Sequence, residues 1–349
     1  MHMADALISP AVGGALWAVS GGLLAGCARK VQQTLRDDLV PLMGVLGAFI
    51  FAAQMINFSI PGTGSSGHLG GGLLLTVLLG PYAAFLVIAS VLTVQAFFFA
   101  DGGLLALGCN IFNLGFFPAF VAYPLIYRVI ARDQFGTSRA WVAALVAAIA
   151  GLQLGALCVV LETKASGISE LPFRAFVLMM LPIHLVIGVV EGLATAAVVA
   201  FVARARSEAL PTAPAAGASV SLRPMLIGLA LAAVVMGGVV SWFASTHPDG
   251  LEWSIAKVTG HQEVTAPGAP LHRKLAAVQE RTAMLPGYGF QAGKAAPAAP
   301  ADARPASWPT VSAGTSVSGI VGGLMTLALA GLIGFVLKAR SMQRVSGNG

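Results

Sequence analysis

Nine apolar stretches constrain this chain more than any other feature. They lie at 8–28, 39–58, 69–80, 82–100, 103–130, 139–161, 172–203, 223–245 and 316–338. About 20 apolar residues carry a helix across the hydrocarbon core of a bilayer, and most of these stretches approach or exceed that length. Only 10% of the residues are charged and 57% are hydrophobic, whereas a soluble domain carries about 25% charged residues. A soluble globular domain is excluded. The expected fold is all-α, a polytopic transmembrane helical bundle of about nine spans, seven plus two, with its N-terminus outside. The stretch 69–80 is short, about 18 Å at the helical rise. It is rich in glycine at its start and closes at Gly80-Pro81. It reads as a partial span that turns back inside the membrane, where irregular backbone persists only against protein or a cavity.

Basic residues orient the bundle. They cluster at Arg29, Lys30 and Arg36, at Arg128, Arg132 and Arg139, at Arg204, Arg206 and Arg223, and at Lys338, Arg340 and Arg344. Counting crossings from an outside N-terminus places all four clusters on the cytoplasmic side, as the positive-inside rule requires. Loops 59–68 and 101–102 then face outside and carry Asp101 as their one charge. Residues 23–27, Leu-Leu-Ala-Gly-Cys, resemble a lipoprotein cleavage site that would remove everything before Cys27. A secretory signal needs positive charge at its start, and residues 1–26 contain no Lys or Arg, so the tip is expected to stay. Cys27, Cys109 and Cys158 sit in apolar runs with neither metal spacing nor a disulfide framework.

The Ala-, Pro- and Ser-rich residues 207–222 read as a cytoplasmic linker. They separate a transmembrane domain, 1–206, from an accessory domain, 223–345, in which two spans flank an extracytoplasmic loop, 246–315. That loop opens with Pro248-Asp249-Gly250-Leu251-Glu252 and becomes Ala/Pro-rich, flexible by composition, around 291–309.

The tip itself concentrates nitrogen donors. The amine of Met1, the backbone nitrogen of His2 and the nearer ring nitrogen of His2 can close two chelate rings in one plane. A fourth nitrogen would complete a square, a geometry that selects Ni(II) or Cu(II). Initiator methionine is trimmed before small residues, and His2 is large, so Met1 is expected to remain. His68 follows Pro61-Gly62-Thr63-Gly64-Ser65-Ser66-Gly67 on the same outer face. It supplies the fourth nitrogen, or it caps the short helix and bonds a loop carbonyl. The glycine-rich loop lacks a following Lys and is no phosphate-binding loop, and Gly293-Lys294 lacks the upstream glycine.

Polar residues inside apolar segments are costly and often functional. Gln54 and Asn57 are read as sharing a helix face, as are Asn110 and Asn113; Gln95 and Asp101 end the fourth segment. All six either orient the imidazoles or make interhelical hydrogen bonds worth about 0.6 kcal/mol. His184 and Glu191 share a face, beside a close-packing Gly188-xxx-Gly192. Asp249 and Glu252 touch a passing cation or shape a turn. No nucleophile–base pair supports an enzyme.

Met1-His2, Phe51-Ala52-Ala53-Gln54-Met55-Ile56-Asn57, Ser66-Gly67-His68-Leu69, Leu79-Gly80-Pro81 and Ala100-Asp101-Gly102-Gly103 through Gly108-Cys109-Asn110-Ile111-Phe112-Asn113 resemble the substrate-binding membrane subunit of nickel/cobalt energy-coupling-factor transporters. The Pro248–Glu252 motif between two further spans resembles the small accessory subunit of the same systems, fused here to the first. The resemblance implies a transported Ni2+ or Co2+ held by Met1, His2 and His68, a transmembrane coupling subunit, cytoplasmic ATPase subunits, and a place in a prokaryotic plasma membrane. The accessory fusion favours nickel. Two other readings stay open. One is a self-sufficient secondary transporter that relays protons through Asp101, His184 and Glu191. The other is a non-transporting scaffold or sensor.

Overall fold

The computed structural model describes residues 2–34, 39–132, 134, 136–205, 222–262, 264, 268–290 and 308–346. Met1, Arg36, Arg206, the linker up to residue 221, the Ala/Pro-rich stretch 291–307 and the side chain of Arg344 lie outside the described residues.

Helices carry the chain. In order they are α1 (Pro10–Thr34), α2 (Leu39–Gln54), α3 (Gly72–Leu79), α4 (Pro81–Phe98), α5 (Leu107–Ala131), α6 (Ser138–Ser166), α7 (Phe173–Ala205), α8 (Arg223–Gly238), α9 (Gly250–Thr259), α10 (Pro270–Thr282) and α11 (Ala313–Ser346). Six of them, α1, α4, α5, α6, α7 and α11, are long and apolar enough to cross a membrane. Helices α2 and α8 are apolar and shorter, 16 residues each. The chain is a multi-pass membrane protein with a helical bundle.

The short stretch behaves as its length demands. Helix α3 has eight residues, all buried, so its backbone is shielded by protein on every side. Gly80, at φ 79°, turns the chain directly into α4, whose first residue is Pro81. Proline suits that position because its missing N–H has no partner there anyway. In α5, residues Phe112–Tyr127 wind as a π-helix around Pro118 and Pro124. Each proline removes an internal donor and crowds the preceding turn. A wider i→i+5 winding accommodates that.

Helices α8 and α11 pack on each other, and α11 on α2, through small residues. A Cβ on Gly319 would lie 2.4 Å from the Gly237 carbonyl oxygen, and one on Gly322 would lie 2.0 Å from the Phe51 ring. The Gly188/Gly192 pair packs as expected. Added Cβ atoms there would lie 2.9 Å from Ile149 Cα and 2.6 Å from Leu145 Cα of α6. Without a hydrophobic drive between helices in lipid, such close approach supplies dispersion contact instead.

The starts of α1, α3, α5, α7 and α11 and the ends of α2, α4, α6 and α8 meet at one end, so the basic residues at the ends of α1, α5, α7 and α11 and at the starts of α6 and α8 fall at the other. The opposite end holds the tip. There the glycine-rich loop forms a small antiparallel hairpin, β1 (Phe58–Ile60) and β2 (Ser65–Gly67), with Phe58 opposite Gly67. Gly62 and Gly64 make its turn at φ 77° and 73°, a conformation that favours glycine. Helices α9 and α10, absent from the sequence reading of loop 246–315, lie over the same end.

Candidate metal centre

The tip is held by bonds on both edges of its backbone. Asn110, on the first turn of α5, accepts from Met3 N through Oδ1 at 2.8 Å and donates from Nδ2 to Met3 O at 3.2 Å. Gly103 N also donates to Met3 O, at 2.9 Å. Asp5 Oδ1 accepts from Ala106 N at 3.0 Å, and His272 of α10 bonds Ile8 O at 2.9 Å. A Cβ on Gly103 would lie 1.9 Å from Asp5 Oδ1, so glycine is what lets this segment in. Met3, Leu7 and Ile8 are buried beneath it.

This anchoring delivers His2 to His68. Their rings stack with centroids 5.1 Å apart and planes 14° apart, and their side chains are 6% and 9% exposed. His2 Nδ1 lies 3.0 Å from Asp101 Oδ1, while His2 Nε2 is buried with no hydrogen-bond partner. The nitrogen expected to close the second chelate ring is therefore engaged by Asp101 in this arrangement. Tyr288, which follows α10, donates its hydroxyl to Asp101 Oδ2. His68 Nδ1 bonds Leu69 O at 3.1 Å, and its Nε2 lies 3.9 Å from Asp249 Oδ2.

Electrostatics follow from this burial. Desolvation by burial lowers His68 to about 3, so its ring is neutral and keeps a lone pair. Burial alone would raise Asp101, but the His2 ring and the His2 and Tyr288 hydrogen bonds outweigh it and hold the carboxyl well below its usual range. Burial, with Asp101 alongside, pushes the Tyr288 hydroxyl up, which keeps it a donor. Among the described residues, no group of three or more His, Cys, Asp or Glu side chains has the arrangement to hold a metal. A cation bound here would need nitrogens beyond the side chains.

The Pro248–Glu252 motif is a helix start pressed onto the hairpin. Asp249 Oδ1 accepts from Leu251 N and Glu252 N, both at 2.8 Å, and Glu252 Oε2 accepts from Asp249 N at 3.2 Å. This reciprocal capping box starts α9. Pro248 O accepts from Ser66 N at 2.8 Å, and Trp253 Nε1 donates to Thr63 O at 2.9 Å. Leu251 is buried, and a Cβ on Gly250 would meet Ile183, Ile187 and the His184 ring at 3.1–3.2 Å. The motif thus shapes a turn and, through Asp249, also faces His68.

The family model described as the cobalt uptake substrate-specific transmembrane region matches residues 2–209. The chain belongs to that family. A second family model, the PDGLE domain, matches residues 223–339 of this family member. The chain is 37% identical over 217 residues to a putative fused nickel transport protein of Archaeoglobus fulgidus, covering 62% of this chain and 70% of that relative. It is 36% identical over 208 residues to a putative metal transport protein of Haloquadratum walsbyi, covering 60% of this chain and 92% of the relative. A crystal structure of a transition metal transporter superposes with a TM-score of 0.53 at 29% identity, covering 60% of this chain and 95% of that one.

The other polar residues singled out from this family member's sequence fall into two sets. Gln95 Nε2 donates to Gln54 Oε1 and Gln54 Nε2 to Gly70 O, both at 2.8 Å, while Gln95 O accepts from Asp101 N at 3.1 Å. This chain ties the Asp101 loop to the His68 loop. Asn110 holds the tip. Asn113 instead donates to Glu162 Oε2 at 2.8 Å and touches Met3 Sδ at 3.9 Å. Asn57 does not share a face with Gln54, because α2 ends at Gln54; its carbonyl accepts from Ser245 N at 2.7 Å. Glu191 takes the amides of Gly70 and Gly71 at 2.8 and 3.2 Å, fixing the turn that follows His68. The residues missed are Tyr288, Gln279 and His272. Gln279 Nε2 donates to Ala96 O and Gly102 O at 2.9 and 2.7 Å. The apolar spacing Leu271, Leu275, Val278 marks an amphipathic helix and was the available signal.

Proposed function

We propose that the chain is the substrate-specific membrane component of an ATP-driven, energy-coupling-factor-type uptake system for nickel, or cobalt, in a prokaryotic plasma membrane. The observation that carries this reading is the stacking of His2 on His68 at 5.1 Å. The family match and the fused nickel transport relative supply its chemistry. In this reading the ion takes the amine of Met1, the backbone and ring nitrogens of His2, and His68. Four nitrogens suit Ni(II) in a square plane.

For the ion to take Nδ1, the His2 ring turns about its Cβ–Cγ bond away from Asp101, and the protons on Nδ1 and on the His2 backbone nitrogen leave to solvent. The N–H that remains, on Nε2, is the donor left for Asp101. A ligating histidine commonly donates its other N–H to a carboxylate, which fixes the ring and raises its basicity. The neutral His68 offers its lone pair without first losing a proton. The accessory domain, 223–345, holds the tip through His272 and the Asp101 loop through Tyr288 and Gln279. The chain itself catalyses no reaction. A transmembrane coupling subunit and cytoplasmic ATPase subunits drive release at the basic end, near Arg128 and Arg204.

The test compares the nickel content of the purified protein with that of a version carrying one extra residue before Met1. The extension keeps both histidines and moves the terminal amine out of the chelate. Loss of nickel is expected; unchanged occupancy defeats the geometry.

A further inference from the structure

Helix α10 carries charge that the centre beneath it does not explain. Its residues repeat in pairs seven apart, two helical turns, so each pair shares a face. His272 and Gln279 face the bundle, bonding Ile8 O and the carbonyls of Ala96 and Gly102. Leu271 and Val278 form one flank and are 40% and 43% exposed. Arg273 and Glu280 form the other flank. Lys274 and Arg281 lie above the apolar flank, exposed on the outer side. Among the described residues, neither cation pairs with a carboxylate. Two such cations beside a site for a divalent ion repel that ion, so another partner must favour them.

The helix follows the rim of the bundle, at the level where lipid meets water. Its first turn bonds Ile8, just before α1. Beyond its last turn, Leu285 N donates to Phe98 O at 3.1 Å. A Cβ on Gly314, in the first turn of α11, would then meet Phe290 N at 3.1 Å. Helix α10 therefore runs from the start of α1, over the end of α4, towards the start of α11. Helices α1 and α11 are the two least buried of the six spans, so this edge adjoins lipid. Phe290, Trp308 before α11, and Phe243 after α8 are exposed. The Phe243 and Trp308 rings pack edge to face, 5.6 Å apart. Exposed aromatic rings at span ends mark the membrane interface, and α10 lies at their level.

We propose that α10 is an interfacial helix seated in the outer leaflet, with Leu271 and Val278 among the acyl chains and Lys274 and Arg281 on the phosphates of anionic phospholipids. The order around the helix fits that occupant: bundle, apolar flank, then cations, on the side away from the Arg273–Glu280 pair. An apolar flank beneath basic residues holds an amphipathic helix at an anionic surface, and each cation near such a surface adds to the attraction. A free anion would leave the apolar flank in water. Because the inner face carries His272 and Gln279, lipid seated here steadies the tip and the Asp101 loop. The seat needs no bound ion, so its test uses none.

The experiment places the full-length protein in nanodiscs of phosphatidylcholine and phosphatidylglycerol and measures quenching by brominated acyl chains. A bimane probe is attached at Val278→Cys or at Ala277→Cys, with Cys27, Cys109 and Cys158 changed to alanine. Ala277 is exposed and turns about 100° from Val278. Stronger quenching at 278 than at 277 is expected; equal quenching, or none at either, overturns the seat. A second measurement keeps the native cysteines. Adding phosphatidylglycerol to phosphatidylcholine discs is expected to raise the melting midpoint of the wild type, and Lys274→Gln/Arg281→Gln is expected to lose that shift. No shift in the wild type, a shift that survives the double variant, or one that inorganic phosphate in detergent reproduces overturns the lipid headgroup as the occupant.

Discussion

Tyr288 donates its hydroxyl to the oxygen of Asp101 that His2 leaves open, so one carboxylate joins the accessory half of the chain to the imidazole at the tip. Tyr288 adopts φ 60° to do so, beside Gly287 at φ 58°. A non-glycine residue in that region costs about 1–3 kcal/mol and persists where its surroundings over-determine it.

Tyr288→Phe keeps the ring against Phe51 and Phe99 and removes only the hydroxyl. Partners that orient a ligating histidine are worth about 10–100-fold in metal affinity. Nickel affinity is expected to fall by about tenfold, with the thermal unfolding midpoint nearly unchanged. Calorimetric titration beside a melting curve measures both, and unaltered affinity removes Tyr288 from the centre.

Gly103→Ala tests the anchoring of the tip. The new methyl would stand 1.9 Å from Asp5 Oδ1 and 2.4 Å from Asp5 N, and both belong to backbone and carboxylate packed into the site. The tip should be expelled while the bundle folds. Nickel binding should drop to the level of His2→Ala, and limited proteolysis should newly cut within the first residues. A variant that binds nickel normally places the tip's hold elsewhere.

Asp249 has two roles that substitution can separate. Asp249→Ser keeps an N-cap oxygen and loses the carboxylate facing His68; Asp249→Ala loses both. N-cap loss costs about 0.5–2 kcal/mol. The alanine variant should therefore melt lower than the serine variant, while both lose nickel affinity to a similar extent. Equal affinity in wild type and Asp249→Ser would leave the residue a purely structural cap.

Asp5 supplies a pH signature. Burial raises its carboxyl above the usual range, and the Ala106 and neighbouring amide bonds only partly offset this. The folded state thus binds this proton more readily than the unfolded state. Its share of stability is fully present below the unfolded value, about 3.9, and is lost as pH rises through the raised folded value. Asp5→Asn retains an oxygen for Ala106 N and does not titrate. The stability of wild type minus that of Asp5→Asn should decline from pH 4 to pH 7, read from paired melting curves. A flat difference contradicts the assigned burial.

Part of the site was legible in the residues themselves. His2, His68, Gln54, Gln95, Asp101 and Asn110 stand where polar groups interrupt or border apolar runs, and the structure brings all six to one end. Asn57 misled because the three-residue spacing assumes a helix that had already ended at Gln54. Asn113 shares the helix but lies in its π-wound part and turns to Glu162.

What the sequence determined by itself is the spanning pattern, the basic end and the nitrogen-rich tip. Each depends on the transfer of individual residues or short windows between water and lipid, which adds along the chain. What the tertiary structure alone decided is who meets the histidines. Asp101 reaches His2 because Asn110 and Gly103 seat the tip. Tyr288 reaches Asp101 and Asp249 reaches His68 from the far half of the chain, because α8 and α11 dock on α2 and hold α9 and α10 over that end. Those meetings depend on closing loops of about a hundred residues or more, and no local spacing encodes which polar group lies across a packed interface.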